Sequence, residues 1–314
     1  RTAAAEAVSP HIDFVWWFAS CENKLTKRLL QDLKRRKPSM ILVTSKRNDN
    51  PTHYSTQDLL AHALGLHSNL LVEIRKVYPE NVGRGILSFE TLDPLGNLVQ
   101  SRTATIPSLT FMLWQRCCQL SEFTRVQSHR TSADILPPSL WNAHDDFYDI
   151  IRYYAKQFSF LIRPSKFTER FLGASSFRCV AGFPSQRVGE GAFVSRRNVD
   201  KEAIGPESMV YAEQDEDGSV RYAGEHKPSV DTPIHLRLYE KFPWVNYIIH
   251  GHAYVEGATF TKHNVPCGAL EEVDEIVAAV LESAWDDTNN MPFCINLVGH
   301  GCIILANTRD QLKG

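Results

Sequence analysis

Apolar positions recur at helical spacing from Asn23 to Lys37, and the short apolar run Met40-Ile41-Leu42-Val43-Thr44 behind them reads as a buried strand. Arg47 to Tyr54 is polar and contains Asn50-Pro51, so it predicts a loop, with a helix following over Thr56–Leu64. Leu70–Val77 alternates as a strand does. Ile86–Ile106 predicts a hairpin around Asp93-Pro94-Leu95-Gly96-Asn97, and Leu109–Phe123 is again helical. The tandem prolines in Ser132–Leu140 remove two backbone donors and bias the preceding residue away from helix, which predicts a linker.

Beyond the linker, Asp145–Phe158 places Tyr148, Ile151, Ala155 and Phe158 on one helical face. Strands then dominate: Ser176–Ala181, Ala192–Ser195, Met209–Glu213 and Ser219–Ala223, the last two joined through the turn Asp215-Glu216-Asp217-Gly218. A helix is predicted over Thr232–Lys241, a strand over Val245–Ala253, a helix over Leu270–Trp285, and paired strands around Ile295-Asn296-Leu297 and Cys302-Ile303-Ile304-Leu305. The order predicts an α/β protein. Residues 1–138 form a smaller mixed α/β domain of unassigned role, and 139–314 an α/β/α domain whose central, mainly antiparallel sheet is covered by helices.

A length of 314 residues accommodates two such domains. Net charge is −2, without the clustered basic excess of a nucleic-acid surface, so no nucleic-acid partner is expected. Lys34-Arg35-Arg36-Lys37 reads as a solvated helix end, and Lys46-Arg47-Asn48-Asp49-Asn50 lacks the glycine-rich cradle of a phosphate loop. No apolar stretch approaches the ~20 residues that span a bilayer, so no membrane partner is expected. Arg1–Pro10 lacks the charged-then-apolar order of a secretory signal, and the chain opens on Arg rather than Met, as a trimmed chain does. The seven cysteines are odd in number and irregularly spaced, and none forms a CxxC pair, which favours free thiols and a cytoplasmic setting.

Chemistry concentrates in Ile249-His250-Gly251-His252. Residues two apart on a strand face the same side, so His250 and His252 point together and can share a cation; two histidines on a half-exposed strand fit the pattern equally. His300 lies between Gly299 and Gly301 and two apolar strands, a place suited to a third ligand or to an ordinary turn. Three imidazoles would leave a fourth zinc position open, as catalytic sites do. Upstream, Asp231 precedes Thr232-Pro233, where it can cap a helix or bring a carboxylate to the ion.

Taken together, Lys227-Pro-Ser-Val-Asp-Thr-Pro-Ile-His235, Leu238-Tyr239, Phe242-Pro243 and the histidine pair resemble the class II aldolase/adducin family. Within it they are most similar to the epimerase branch, which has an aspartate where the aldolase branch has a glutamate. Gly173-Ala-Ser-Ser-Phe-Arg178 and Val194–Lys201 are similar to the family's early loop and the segment after it. The resemblance covers about 145–314. It implies Zn²⁺ held by His250, His252 and His300, with Asp231 as catalytic acid/base or further ligand. Gly173, Ser175 and Ser229 would line a phosphate pocket. The implied activity is that of a lyase or epimerase on a small phosphorylated sugar or related hydroxy-carbonyl compound, proceeding by enediolate stabilisation in a homo-oligomer. Two other outcomes lie within the same family: a non-catalytic adducin-like scaffold, and a zinc-dependent sugar-phosphate dehydratase.

The chain departs from the family pattern at Ala174, where an asparagine is usual, at Val230 for a second serine, and at Arg196-Arg197 for a Pro-Thr/Ser pair. The arginines can bind a substrate acid or lie at the surface. Glu271 and Glu272 are read as acids complementing a helix N-terminus, with a catalytic role as the alternative.

Overall fold

A computed structural model describes residues 14–18, 28–30, 32–33, 36, 40–49, 54–77, 85–92, 101–126, 130–135, 145–158, 171–178, 191–215, 218–263, 265, 267–283, 292–298 and 300–313. The expected hairpin turn at 93–97, the tandem prolines at 137–138, Gly299 and most of the 23–37 helix lie outside the described residues; Arg28–Leu30 within that segment is helical. The chain divides into two compact units, residues 1–125 with 162–170, and residues 126–161 with 171–314.

The first unit holds a five-stranded sheet in the order β1 (Phe14–Phe18), β2 (Ile41–Arg47), β3 (Leu70–Val77), β4 (Ile86–Leu92), β5 (Ser101–Thr103). The first three strands run parallel and the last two antiparallel. Helix α1 (Thr56–Gly65) supplies Leu59, Leu60 and Ala63 to a cluster with Leu71 and Leu92. Helix α2 (Ile106–Val126) supplies Leu109 and Leu113 to another with Ile41, Val43, Val72 and Phe89. Ser55 and Asp58 close a capping box at the start of α1, answering two orphan backbone donors.

The second unit is built on nine strands. In chain order these are β6 (Arg130–Ala133), β7 (Ala174–Arg178), β8 (Ala192–Ser195), β9 (Met209–Gln214), β10 (Val220–Ala223), β11 (Tyr247–Gly251), β12 (Thr259–Phe260), β13 (Phe293–Leu297) and β14 (Gly301–Ala306). Their order across the sheet is β12-β13-β14-β11-β7-β8-β9-β10-β6, antiparallel throughout except for the two edge pairs β12/β13 and β10/β6. Its helices are α3 (Asp145–Phe158), α4 (Thr232–Lys241) and α5 (Glu272–Glu282). The sheet begins upstream of the boundary expected at 138, because β6 belongs to it. Arg130-Thr-Ser-Ala has no apolar alternation to mark it as a strand, and pairing with Val220–Ala223 makes it one.

Both sheet faces are buried, and strand alternation sorts the side chains between them. Ile248, Ile303 and Leu305 pack with Ile234 and Leu238 of α4 and Val273 and Ile276 of α5. Tyr247, Ile249, Ile304 and Ala306 pack on the other face with Phe147, Tyr148 and Ile151 of α3. Each such aliphatic side chain contributes roughly 1.5–3 kcal/mol by burial. The fold is therefore the expected α/β/α arrangement with a mainly antiparallel sheet. By the same alternation His250 shares a face with Ile248, the face covered by α4 and α5.

Candidate metal centre

Strand β11 ends at Gly251, short of the expected Ala253, so His250 is the last side chain within it and His252 follows in a bend. His300 sits in the turn that joins β13 to β14, with its N–H donating to the Leu297 carbonyl. Antiparallel pairing of β11 with β14 places Gly251 opposite Cys302 and so carries His300 beside the histidine pair. All three imidazoles are buried, at 4%, 6% and 1% exposure for His250, His252 and His300. Ring centroids lie 4.9 Å (250–252), 4.6 Å (250–300) and 5.1 Å (252–300) apart. One ring nitrogen from each falls within 4.8 Å of the others.

Close backbone approach makes this cluster possible. Gly301 has φ +138°, and a Cβ there would stand 2.1 Å from the Gly251 carbonyl oxygen. Gly173 has φ +83°, and its Cβ would stand 2.8 Å from the His250 carbonyl oxygen. Both conformations are natural only to glycine.

Hydrogen bonds set the tautomers of two rings. His250 Nδ1–H donates to the Cys302 carbonyl at 2.8 Å, because a carbonyl can only accept. His300 Nδ1–H donates to Glu272 Oε1 at 2.5 Å. In the neutral form of each ring the lone pair falls on Nε2, which is buried and has no hydrogen-bond partner among the described residues. A buried, unsatisfied acceptor is costly unless something occupies it. Imidazoles oriented through Nδ1 by a carbonyl or carboxylate are what a metal-binding histidine requires. The donor set fits a divalent transition metal.

Glu272 is not simply an exposed helix-terminal acid. It is 3% exposed, and its carboxylate is committed to His300. Burial raises the carboxyl's pKa while His300 pulls it down, leaving it raised. Burial works to lower His300, but Glu272 and Cys267 together outweigh it and hold the imidazole well above its ordinary range. Burial pushes His250 down to about 3.

Asp231 stands at the N-terminus of α4, yet its side chain makes no cap hydrogen bond. It turns instead towards the imidazoles. Ser229 Oγ donates to its Oδ2 at 3.2 Å and Cys267 Sγ to its Oδ1 at 3.5 Å. Burial alone would raise this carboxyl, but His250, His300, His235 and His252 together hold it well below the usual range, so it stays ionised. Burial and Asp231 push the neighbouring Cys267 thiol up to about 12. Behind the site, His235 Nδ1 and Tyr239 OH each lie 2.7 Å from Ser176 Oγ in a buried chain.

Of the remaining candidates, Gly173 packs on the His250 backbone, and Ser175 is paired with Ile249 across β7 and β11. Ser175 N–H donates to Ser195 Oγ, and Ser229 N–H to the Ser195 carbonyl, so both serines gather around Ser195. Beside them stands a group of cations that sequence reasoning captured only in part. Arg130 Nη1 donates to the Pro228 carbonyl at 2.8 Å, and Arg197 N–H to the Lys227 carbonyl at 2.8 Å, so Arg130, Arg197 and Lys227 share the stretch leading into Asp231. Burial, then Arg197, lowers Arg130 to about 10, with Asp231 pulling the other way. Lys227 is lowered by burial and by both arginines. Lys201, 9% exposed, is pushed down to about 8 by burial against the pull of Asp231 and Asp200. None of these four cations forms a carboxylate ion pair among the described residues. The pattern offered Arg197 through its neighbourhood; Arg130 carried no local signal.

No curated protein matches the chain. Solved structures similar to it include YgbL of Escherichia coli, a candidate aldolase/epimerase/decarboxylase (12% identity, 56% of this chain and 84% of that one, TM-score 0.36). An L-fuculose 1-phosphate aldolase is similar at 16% identity (58% and 82% coverage, TM-score 0.37), and an aldolase II superfamily protein of Pseudomonas syringae at 15% (57% and 73%, TM-score 0.37). The profile of the Class II Aldolase and Adducin N-terminal domain matches residues 161–309. That match covers 161–309, so the C-terminal half of this chain resembles the class II aldolase and adducin family.

Proposed function

We propose that the second unit is a zinc-dependent lyase or epimerase acting on a small hydroxy-carbonyl compound that carries an acidic group, of which a sugar phosphate is the leading example. The observation that carries this reading is the meeting of His250, His252 and His300, with the Nε2 atoms of His250 and His300 buried and without a hydrogen-bond partner among the described residues. When bound there, zinc supplies Lewis-acid stabilisation of negative charge developing on substrate oxygens.

The chain's own residues supply the rest. Glu272 and the Cys302 carbonyl orient His300 and His250. Asp231, ionised and beside the cluster, accepts a proton from a substrate hydroxyl or carbon and returns it, with Ser229 fixing the orientation of its carboxylate. Arg130, Arg197 and Lys227 take the acidic group by charge-assisted hydrogen bonds, compensating for the polar side chains absent at Ala174 and Val230. Gly173, Ser175 and Ser229 form the wall between that group and the cluster.

The altered loop at Ala174 and Val230 favours one second reading, an adducin-like binding protein that retains the fold without turnover. The two readings part in one experiment. Metal analysis of purified protein is followed by a screen of phosphorylated sugars with and without chelator. Chelator-sensitive turnover supports the enzyme; a metal-loaded protein inert to the whole screen supports the binding protein.

A further inference from the structure

Lys201 is the one cation of the four that the chemistry above leaves unused. It opens a short 3₁₀ turn, Lys201–Ala203, on the connection between β8 and β9. That connection lies along the segment leading into Asp231, since Arg197 N–H donates to the Lys227 carbonyl at 2.8 Å and Ser229 N–H to the Ser195 carbonyl at 3.0 Å. On its other side it is tied to α3, where Arg152 Nη2 donates to the Ile204 carbonyl at 2.6 Å. Held in this way, Lys201 is 9% exposed, and its ammonium makes no hydrogen bond and no carboxylate ion pair among the described residues. A cation taken out of water is costly until an anion meets it.

The two carboxylates that act on Lys201 are engaged elsewhere. Asp200 Oδ1 accepts from the Glu202 N–H at 2.9 Å, and Asp231 accepts from Ser229 and Cys267. Lys201 also stands apart from the other cations. Arg130 and Lys227 each feel Arg197, whereas no arginine is among the groups acting on Lys201. Asp231 acts on both Arg130 and Lys201, so the two cationic positions flank this carboxylate. Resting on the acid-binding part of the reading above, we infer that Lys201 is a specificity-determining residue that takes a second acidic group of the substrate. The substrate is then acidic at two positions, one meeting Arg130, Arg197 and Lys227 and the other meeting Lys201. The class selected is a hydroxy-carbonyl compound that carries both a phosphate and a carboxylate.

Paired probes read this on the full chain after chelator treatment. Calorimetry compares phosphoglycerate with glycerol phosphate, and phosphogluconate with glucitol phosphate, each phosphorylated at its end carbon. The members of a pair share the phosphate and differ in the carboxylate. The native chain is expected to bind the acid of at least one pair ~10–100-fold more tightly than the matching alcohol, the value of one or two charge-assisted hydrogen bonds. Lys201→Met keeps an apolar stem in the buried position and Lys201→Gln a polar one; both are expected to abolish the difference while binding the alcohol as the native chain does. Equal native affinity for acid and alcohol overturns the inference and leaves the arginine position standing. A preference that survives in both variants overturns it too, as does a loss of alcohol binding, which would put Lys201 at the same position as the arginines. Native protein that binds none of the four probes defeats the inference and the acid-binding reading together.

Discussion

Glu272 Oε1 lies 2.5 Å from His300 Nδ1, with both side chains almost wholly removed from solvent. The contact spans 28 residues of sequence and makes the first turn of α5 the positioning element for an imidazole presented by a β-turn. Glu272→Ala is expected to leave the fold intact and to weaken zinc binding ~10–100-fold, the usual effect of removing the group that orients a ligating histidine. Competition against a chromophoric chelator measures it. Unchanged affinity would mean that His300 needs no orienting partner.

The backbone contact behind the same histidine is equally testable. Gly301→Ala introduces a Cβ into the space of the Gly251 carbonyl at a φ of +138°. The loss expected is at least ~2 kcal/mol of stability, together with a lower zinc content as His300 moves away from His250. Thermal melts with parallel metal analysis check both; a native-like Tm would contradict the close approach of the two turns.

Much of this geometry was legible from residue order, for definite reasons. Period-two spacing set His250 and His252 side by side, and the apolar runs at 293–297 and 301–306 framed His300. Residue order left Asp231 either a helix cap before Thr232-Pro233 or a carboxylate brought to the ion, and only the family resemblance favoured the second, because the inward turn of its side chain is a tertiary fact. Glu272 resembled an acid placed for the helix dipole for the same reason: burial and a partner 28 residues away are tertiary facts. Arg130 was invisible, since β6 is a strand only through pairing with β10. Cys267 read as one free thiol among seven.

The cation group predicts an effect on ligand binding that spares the metal. Arg130→Met combined with Arg197→Met is expected to weaken inorganic phosphate binding by ~10–100-fold, the value of one or two charge-assisted hydrogen bonds. Zinc content should stay unchanged. Thermal-shift titration with phosphate distinguishes this from an unaltered response, which would place the substrate's acid elsewhere.

His235 predicts a pH dependence. Burial lowers its pKa from 6.5 to about 4, with Asp231 opposing. The folded domain keeps the ring neutral while the unfolded chain takes up a proton below about 6.5. Its contribution is therefore complete above that pH and falls by roughly 3 kcal/mol as pH drops towards 4. His235→Gln should flatten this part of the stability profile in chelator-treated protein. A slope identical to that of the native chain would show that the ring titrates freely.

The claim on which the others stand is that three imidazoles hold one ion, and metal content tests it most directly. Protein purified from zinc-supplemented cells is predicted to contain about one zinc per chain, and His250→Ala, His252→Ala and His300→Ala are each predicted to lose it while remaining folded by circular dichroism. Stoichiometric zinc in any folded variant, or native protein that stays metal-free after zinc supplementation, would contradict the account.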